Sequence, residues 1–154
     1  WERGEIEVLG GGAPLPVTGE GSGVRVWAGE AAKVRALAEE AGTCVADAQT
    51  LCLQDSRFRV SVEWRDQRNG TRGEGQAVPR TDQTGTFWFF DSRNVELVVK
   101  VLDGTLLNGK HWFFYGALSD VEYTITVFDT ATGVRKRYRN RPRNLCGQGD
   151  TAAF

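Results

Sequence analysis

The sequence predicts a mainly β protein: an antiparallel β-sandwich with one short helix and an extended N-terminal arm. Three observations carry that expectation. From Cys52 onward, short apolar–polar alternating segments recur at intervals of about 8–12 residues, separated by Gly, Asn and Asp. The 19 glycines suit a fold with many tight turns. Helical periodicity occurs in one segment alone, near residues 30–41.

Taken in order, residues 1–26 read as an arm. Glu5-Ile6-Glu7-Val8-Leu9 alternates like a strand, and Gly10-Gly11-Gly12, Pro14, Pro16 and further glycines follow it. Val24 and Val26 begin another extended stretch leading into a domain over 27–154. Ala31, Val34, Leu37, Ala38 and Ala41 share one face of a helix that Gly42 is placed to end. Arg57–Arg65 is the cleanest amphipathic strand, with Phe58, Val60, Val62 and Trp64 on one face. Asn69-Gly70 and Arg72-Gly73 mark a turn. Strands are expected over Gln76–Arg80, Thr84–Asp91, Val95–Leu102 and His111–Ala117, and Val121–Asp129 with Val134–Arg139 reads as a hairpin. Phe87-Trp88-Phe89-Phe90 and Trp112-Phe113-Phe114-Tyr115 are aromatic on both faces, so both faces are expected to be covered. The helix near 30–41 can cover one; a ligand or a second subunit is the alternative.

The bulk numbers exclude several classes. At 154 residues there is room for one core. The net charge of −1 is not that of a nucleic-acid binder, which makes such a partner unlikely, and no apolar run reaches the roughly 20 residues of a membrane span. Residues 1–50 carry eight acids against four bases, and the remainder fifteen bases against twelve acids. A chain starting at Trp1 is expected to have lost an upstream leader; a shortened chain is the alternative. Cys44 and Cys52 can close a small disulfide loop in an oxidising compartment, three reduced buried thiols being the other reading. Cys146 is left over, either buried or paired with another chain.

Between Cys44 and Phe154 the chain resembles a C-terminal β-rich domain of uncharacterised secreted bacterial proteins. The strings that carry the likeness are Leu51-Cys52-Leu53 leading into Arg57-Phe58-Arg59-Val60, Gly85-Thr86-Phe87-Trp88-Phe89-Phe90, and the run from Asn94 to Asp103. Gly116-Ala117-Leu118-Ser119-Asp120-Val121-Glu122-Tyr123, Asp129-Thr130-Ala131-Thr132-Gly133 and the ending Asp150-Thr151-Ala152-Ala153-Phe154 complete it. The resemblance implies export to the extracellular space or cell surface and a β fold; it brings no catalytic residues. Residues 1–43 lie outside it. Cys146 and the basic Arg135–Arg143 stretch depart from it.

No catalytic, cofactor or metal pattern emerges. His111 is the single histidine, within a strand and more consistent with packing than with a triad or metal site. Glu63, Asp91 and Glu96 are the carboxylates that a glycosidase reading would use. Asp82, Asp91, Asp103, Asp120 and Asp129 fall near strand ends, where calcium could be held, without any repeat spacing to support it. Arg135, Lys136, Arg137, Arg139, Arg141 and Arg143 occur with no acid between Val134 and Gln148. Arg135, Arg137 and Arg139 share one strand face, open to three readings: a polyanion site, a contact with the acidic N-terminal part of another subunit, or a charged edge that blocks pairing. Two functions follow. The first is a non-enzymatic extracellular structural protein whose Glu5, Ile6, Glu7, Val8 and Leu9 add as a strand to a neighbouring copy, building filaments. The second is a carbohydrate- or polyanion-binding module, with tryptophans among Trp64, Trp88 and Trp112 stacking on sugars or the arginines gripping acidic groups.

Overall fold

The computed structural model describes residues 6–9, as backbone alone, and residues 42–154. The helix expected near 30–41, the stretch at Val24–Val26, Glu5 and the arm boundary at residue 26 lie outside them. Eleven strands and one short helix are described: β1 (Ile6–Leu9), β2 (Leu51–Leu53), β3 (Phe58–Arg65), β4 (Arg72–Glu74), β5 (Gln76–Pro79), β6 (Thr84–Trp88), β7 (Leu97–Gly104), α1 (Thr105–Asn108), β8 (Lys110–Ala117), β9 (Glu122–Asp129), β10 (Arg135–Asn140) and β11 (Gly147–Asp150).

They form two antiparallel sheets. The first runs β1-β10-β9-β3-β2, with β4 also on β3, and the second runs β11-β8-β7-β6-β5. Alternation puts one face of each strand into the core between the sheets. From the first sheet come Phe58, Val60, Val62, Tyr123, Ile125, Val127 and Tyr138, each 0–1% exposed. Phe87, Leu97, Val99, Val101 and Phe113 oppose them from the second, all fully buried. Of the aromatic runs, Phe87 and Phe113 enter the core, Trp88, Trp112 and Phe114 stand half-buried on the outside, and Phe89 and Phe90 fall beyond the end of β6.

Several elements differ from the sequence reading. Arg72–Glu74 is a strand and not part of a turn, because its backbone pairs with Glu63–Arg65. β6 stops at Trp88, where Glu96 turns back to donate its amide to Phe87 O. β2 and β11 have too few residues to show a period. α1 is a single turn closed by Gly109 at φ +72°, linking β7 to β8.

Two ties fix the ends of the chain's described core. Cys44 and Cys52 form a disulfide, with 5.7 Å between their Cα atoms. At the other end, His111 and Phe154 exchange backbone hydrogen bonds. Ala153 is buried and the Phe154 ring packs 5.2 Å from Phe58. Arg57 grips the fully buried Asp129 through two hydrogen bonds of 2.9 and 2.8 Å, fixing the start of β3 to the end of β9.

Close approach of the two sheets depends on Gly85 in β6. A Cβ there would lie 2.3 Å from Leu51 Cδ1, and Leu51 is itself buried with nowhere to move. Gly85→Ala should therefore destabilise the domain by about 1–3 kcal/mol. An unchanged thermal midpoint would show that the sheets are less tightly apposed than described.

Candidate functional site

β10 is an unusual strand to find folded, since four of its six residues are cationic. Its alternation explains how it is held. Arg135, Arg137 and Arg139 point outward, while Lys136, Tyr138 and Asn140 point into the sandwich and are buried. Lys136 Nζ donates to Asp150 Oδ2 and to Ala152 O, each at 3.1 Å. Tyr138 donates its hydroxyl to the same Asp150 oxygen at 2.8 Å. Asn140 donates to Val121 O and Asn144 O, at 3.1 and 2.8 Å. A buried cation costs several kcal/mol unless paired and hydrogen-bonded, and Asp150 supplies the pairing. Burial alone would raise the Asp150 carboxyl, but hydrogen bonds from Tyr138, the Ala152 amide and Lys136 hold it below the usual carboxylate range. Burial drives the Tyr138 hydroxyl well above the ordinary phenol, and the Asp150 charge adds to that. Asp129 follows the same pattern: its burial is outweighed by Arg57, Thr132 and the Ala131 amide, which hold it low.

The outward arginines do not act as one ridge. Arg135 and Arg59 both lie over the Phe128 ring, at 5.4 and 5.5 Å, and leave that outward phenylalanine 3% exposed. Arg139 is paired with Glu122 at 2.6 Å. Arg141 and Arg143 are exposed in the loop after β10, with Arg143 at φ +63° donating its amide to Asp120 O. Arg137 is exposed in the middle of the strand.

The outer edge of β10 is where two sequence-selected groups meet. β1 pairs with it antiparallel, matching Ile6 to Tyr138, Glu7 to Arg137, Val8 to Lys136 and Leu9 to Arg135. The acidic position of the arm thus falls opposite the exposed arginine. Leu9, Arg135, Phe128, Arg59 and Cys52 follow one another in a single row across the sheet. Leu9 and the disulfide therefore stand about four strand spacings, or roughly 19 Å, apart. An extended chain needs about six residues to cross that distance. The sequence places residues 10–43 between them, thirty-four in all.

Other candidates do not converge. The His111 ring packs 5.1 Å from Phe58, and its Nε2 lies 3.4 Å from Arg57. Asp91 is held by Arg93, Asp103 accepts the Thr105 amide, Asp120 is held by Arg68, and Asp82 accepts the Asp55 amide. Among the described residues, no group of three or more His, Cys, Asp or Glu is placed to hold a metal ion, and no helix is long and apolar enough to cross a membrane. Cys146 is buried with a reduced thiol, 3.8 Å from the Tyr115 hydroxyl. An open trough of about 500 Å³ crosses β9, β3 and β4, walled by Glu63, Arg65, Arg72, Glu74 and Glu122. Glu63 and Glu74 are direct cross-strand partners there, as are Arg65 and Arg72. The trough is open and mixed in charge.

No protein family, curated protein or solved structure matches the chain. Sequence reasoning missed Lys136 and Asp150 as a pair. The available signal was a lysine on the inward phase of an otherwise arginine-rich strand.

Asp150 gives a pH dependence of defined sign. Its folded pKa is depressed, so its stabilising contribution is complete above the unfolded value of about 3.9 and is lost as pH falls through the lower folded value. Asp150→Asn should cost about 2–3 kcal/mol at neutral pH, measured by urea unfolding. The gap between variant and parent should narrow below about pH 4. A gap that is constant down to acid would show that Asp150 is not a charged partner of Lys136.

Proposed function

We propose that the protein is a non-enzymatic structural module of the extracellular space or cell surface, which assembles by passing strand β1 onto the β10 edge of a neighbouring copy. One observation carries the reading: the acidic N-terminal strand and the basic strand are register partners, with Glu7 opposite Arg137. Main-chain hydrogen bonds along this edge supply affinity, and the opposite charges select the register. The connection from Leu9 to Cys44 supports exchange, since its thirty-four residues exceed several-fold what the crossing within one chain needs. A disulfide between Cys44 and Cys52 is consistent with an oxidising compartment, as is the resemblance to secreted bacterial domains.

The same arithmetic sets the conditions. The thirty-four residues between them keep β1 tied to the chain that carries its own β10, so capping within one chain does not depend on concentration. Self-capping therefore dominates in dilute solution, and exchange grows where copies are crowded. A head-to-tail transfer whose rotation does not close a ring extends crowded copies into filaments.

Light scattering and electron microscopy over rising concentration test this. Particles should grow with concentration in the parent chain and remain small in Glu7→Arg and in Arg137→Glu, and the double variant should recover growth. Size that is independent of concentration, or insensitive to both single reversals, would overturn the reading. Retention on an acidic polysaccharide that is lost in Arg137→Glu, without any polymer in the parent, would move the basic strand to polyanion binding.

A further inference from the structure

Asparagine followed by glycine occurs twice in the chain, at Asn69-Gly70 and at Asn108-Gly109. The pairing matters chemically because glycine has no Cβ to shield its nitrogen, which can approach the side-chain amide of the residue before it. Both asparagines are exposed, and the glycines after them lie at φ +77° and +72°. Each glycine amide also donates to a main-chain carbonyl, Gly70 to Asp66 O at 2.8 Å and Gly109 to Thr105 O at 3.0 Å. Sequence, exposure and backbone therefore do not separate the two.

The side-chain amides do. At Asn69, Oδ1 accepts from the Thr71 amide at 2.9 Å and from the Thr71 hydroxyl at 2.7 Å. Among the described residues its Nδ2 has no partner. At Asn108 the amide is anchored at both ends. Its Oδ1 accepts from Trp112 Nε1 at 2.9 Å and from the Lys110 amide at 3.2 Å, and its Nδ2 donates to Thr151 O at 2.7 Å. Both carbonyl oxygens thus face two donors, which stabilise the negative charge that develops there when the amide carbon is attacked. Only at Asn69 is the nitrogen that must depart untied, and only there do both donors belong to the turn itself.

We propose that Asn69 is a site of spontaneous modification, converted by its turn to aspartate and isoaspartate while Asn108 is preserved. Gly70 N attacks Asn69 Cγ and gives up its proton, and the side-chain nitrogen gains a proton and leaves as ammonia. Water then opens the resulting cyclic imide. Attack at Cγ gives aspartate; attack at the main-chain carbonyl carbon gives isoaspartate, in which the chain runs through Cγ. One water is consumed and one ammonia released. At Asn108 the same closure must first break the bonds to Thr151 and Trp112. Isoaspartate adds one main-chain atom to the link over 66–71, which is closed by Asp66 N donating to Thr71 O at 2.7 Å. It therefore slackens the adjoining β4, whose Arg72 and Glu74 wall the trough. This chemistry uses neither β1 nor the β10 edge and stands apart from assembly.

The test is a time course on the full-length chain in warm, mildly alkaline buffer, read by peptide mass spectrometry, with a urea-unfolded sample in parallel. The unfolded chain should convert both asparagines at similar rates, because both precede glycine. The folded chain should gain one mass unit at Asn69, divided between aspartate and isoaspartate. Conversion there should be at least about tenfold faster than at Asn108, where two long-range hydrogen bonds resist ring closure. Equal rates at the two sites of the folded chain, or faster conversion at Asn108, would overturn the proposal. So would a folded Asn69 that stays intact while the unfolded chain converts.

Discussion

A single carboxylate holds the two sheets together at their most highly charged point. Asp150 accepts from Lys136 and Tyr138, two consecutive inward residues of β10, while standing on β11 of the opposite sheet. Without it, a buried ammonium would lie between the layers, on a strand that carries four cations in six residues. The inward side of β10 is therefore fixed by charge and hydrogen bonding where the neighbouring β9 is fixed by Tyr123, Ile125 and Val127. The placement of β10 in turn defines the edge to which β1 adds. Phe154, bridging to His111 and packing on Phe58, pins the segment that carries Asp150.

The outer faces express a division of labour that the core does not require. Either face could have been polar without loss to the sandwich, because the core is complete from inward residues alone. On the second sheet the apolar outward groups stand beside Lys100, whose ammonium lies 5.2 Å over the Phe114 ring. The first sheet instead spends its outward positions on Arg, Glu, Ser and Thr, and even covers Phe128 with two guanidinium groups.

Much of this architecture was legible in the sequence where periodicity was long. Phe58–Arg65 alternates over eight residues, and its even positions do enter the core. The aromatic run at 112–115 announced a strand with apolar groups on both sides, whereas only the first half of 87–90 is strand. The Cys44–Cys52 bond was one of two readings of the spacing, the one that an oxidising compartment favours. Strands of three or four residues were not legible, because Arg72–Glu74 and Gly147–Asp150 hold no apolar period and become strands only by pairing with β3 and β8. The outward phase of Arg135, Arg137 and Arg139 was readable, but their individual fates were not, since Phe128 and Glu122 are supplied by the adjacent strand. Lys136 looked like one more surface cation. Its burial depends on Asp150, fourteen residues away, a tertiary pairing that no local pattern encodes.

The central claim is that strand β1 occupies the β10 edge, and a cross-link tests it most directly. Glu7 and Arg137 are Cα partners, at a spacing of about 5 Å that a disulfide can bridge. In the Glu7→Cys/Arg137→Cys chain under mild oxidation, the account predicts an internal bond in dilute solution and a ladder of linked chains as concentration rises, with Cys146 remaining a buried thiol. Two free engineered thiols at every concentration would contradict it.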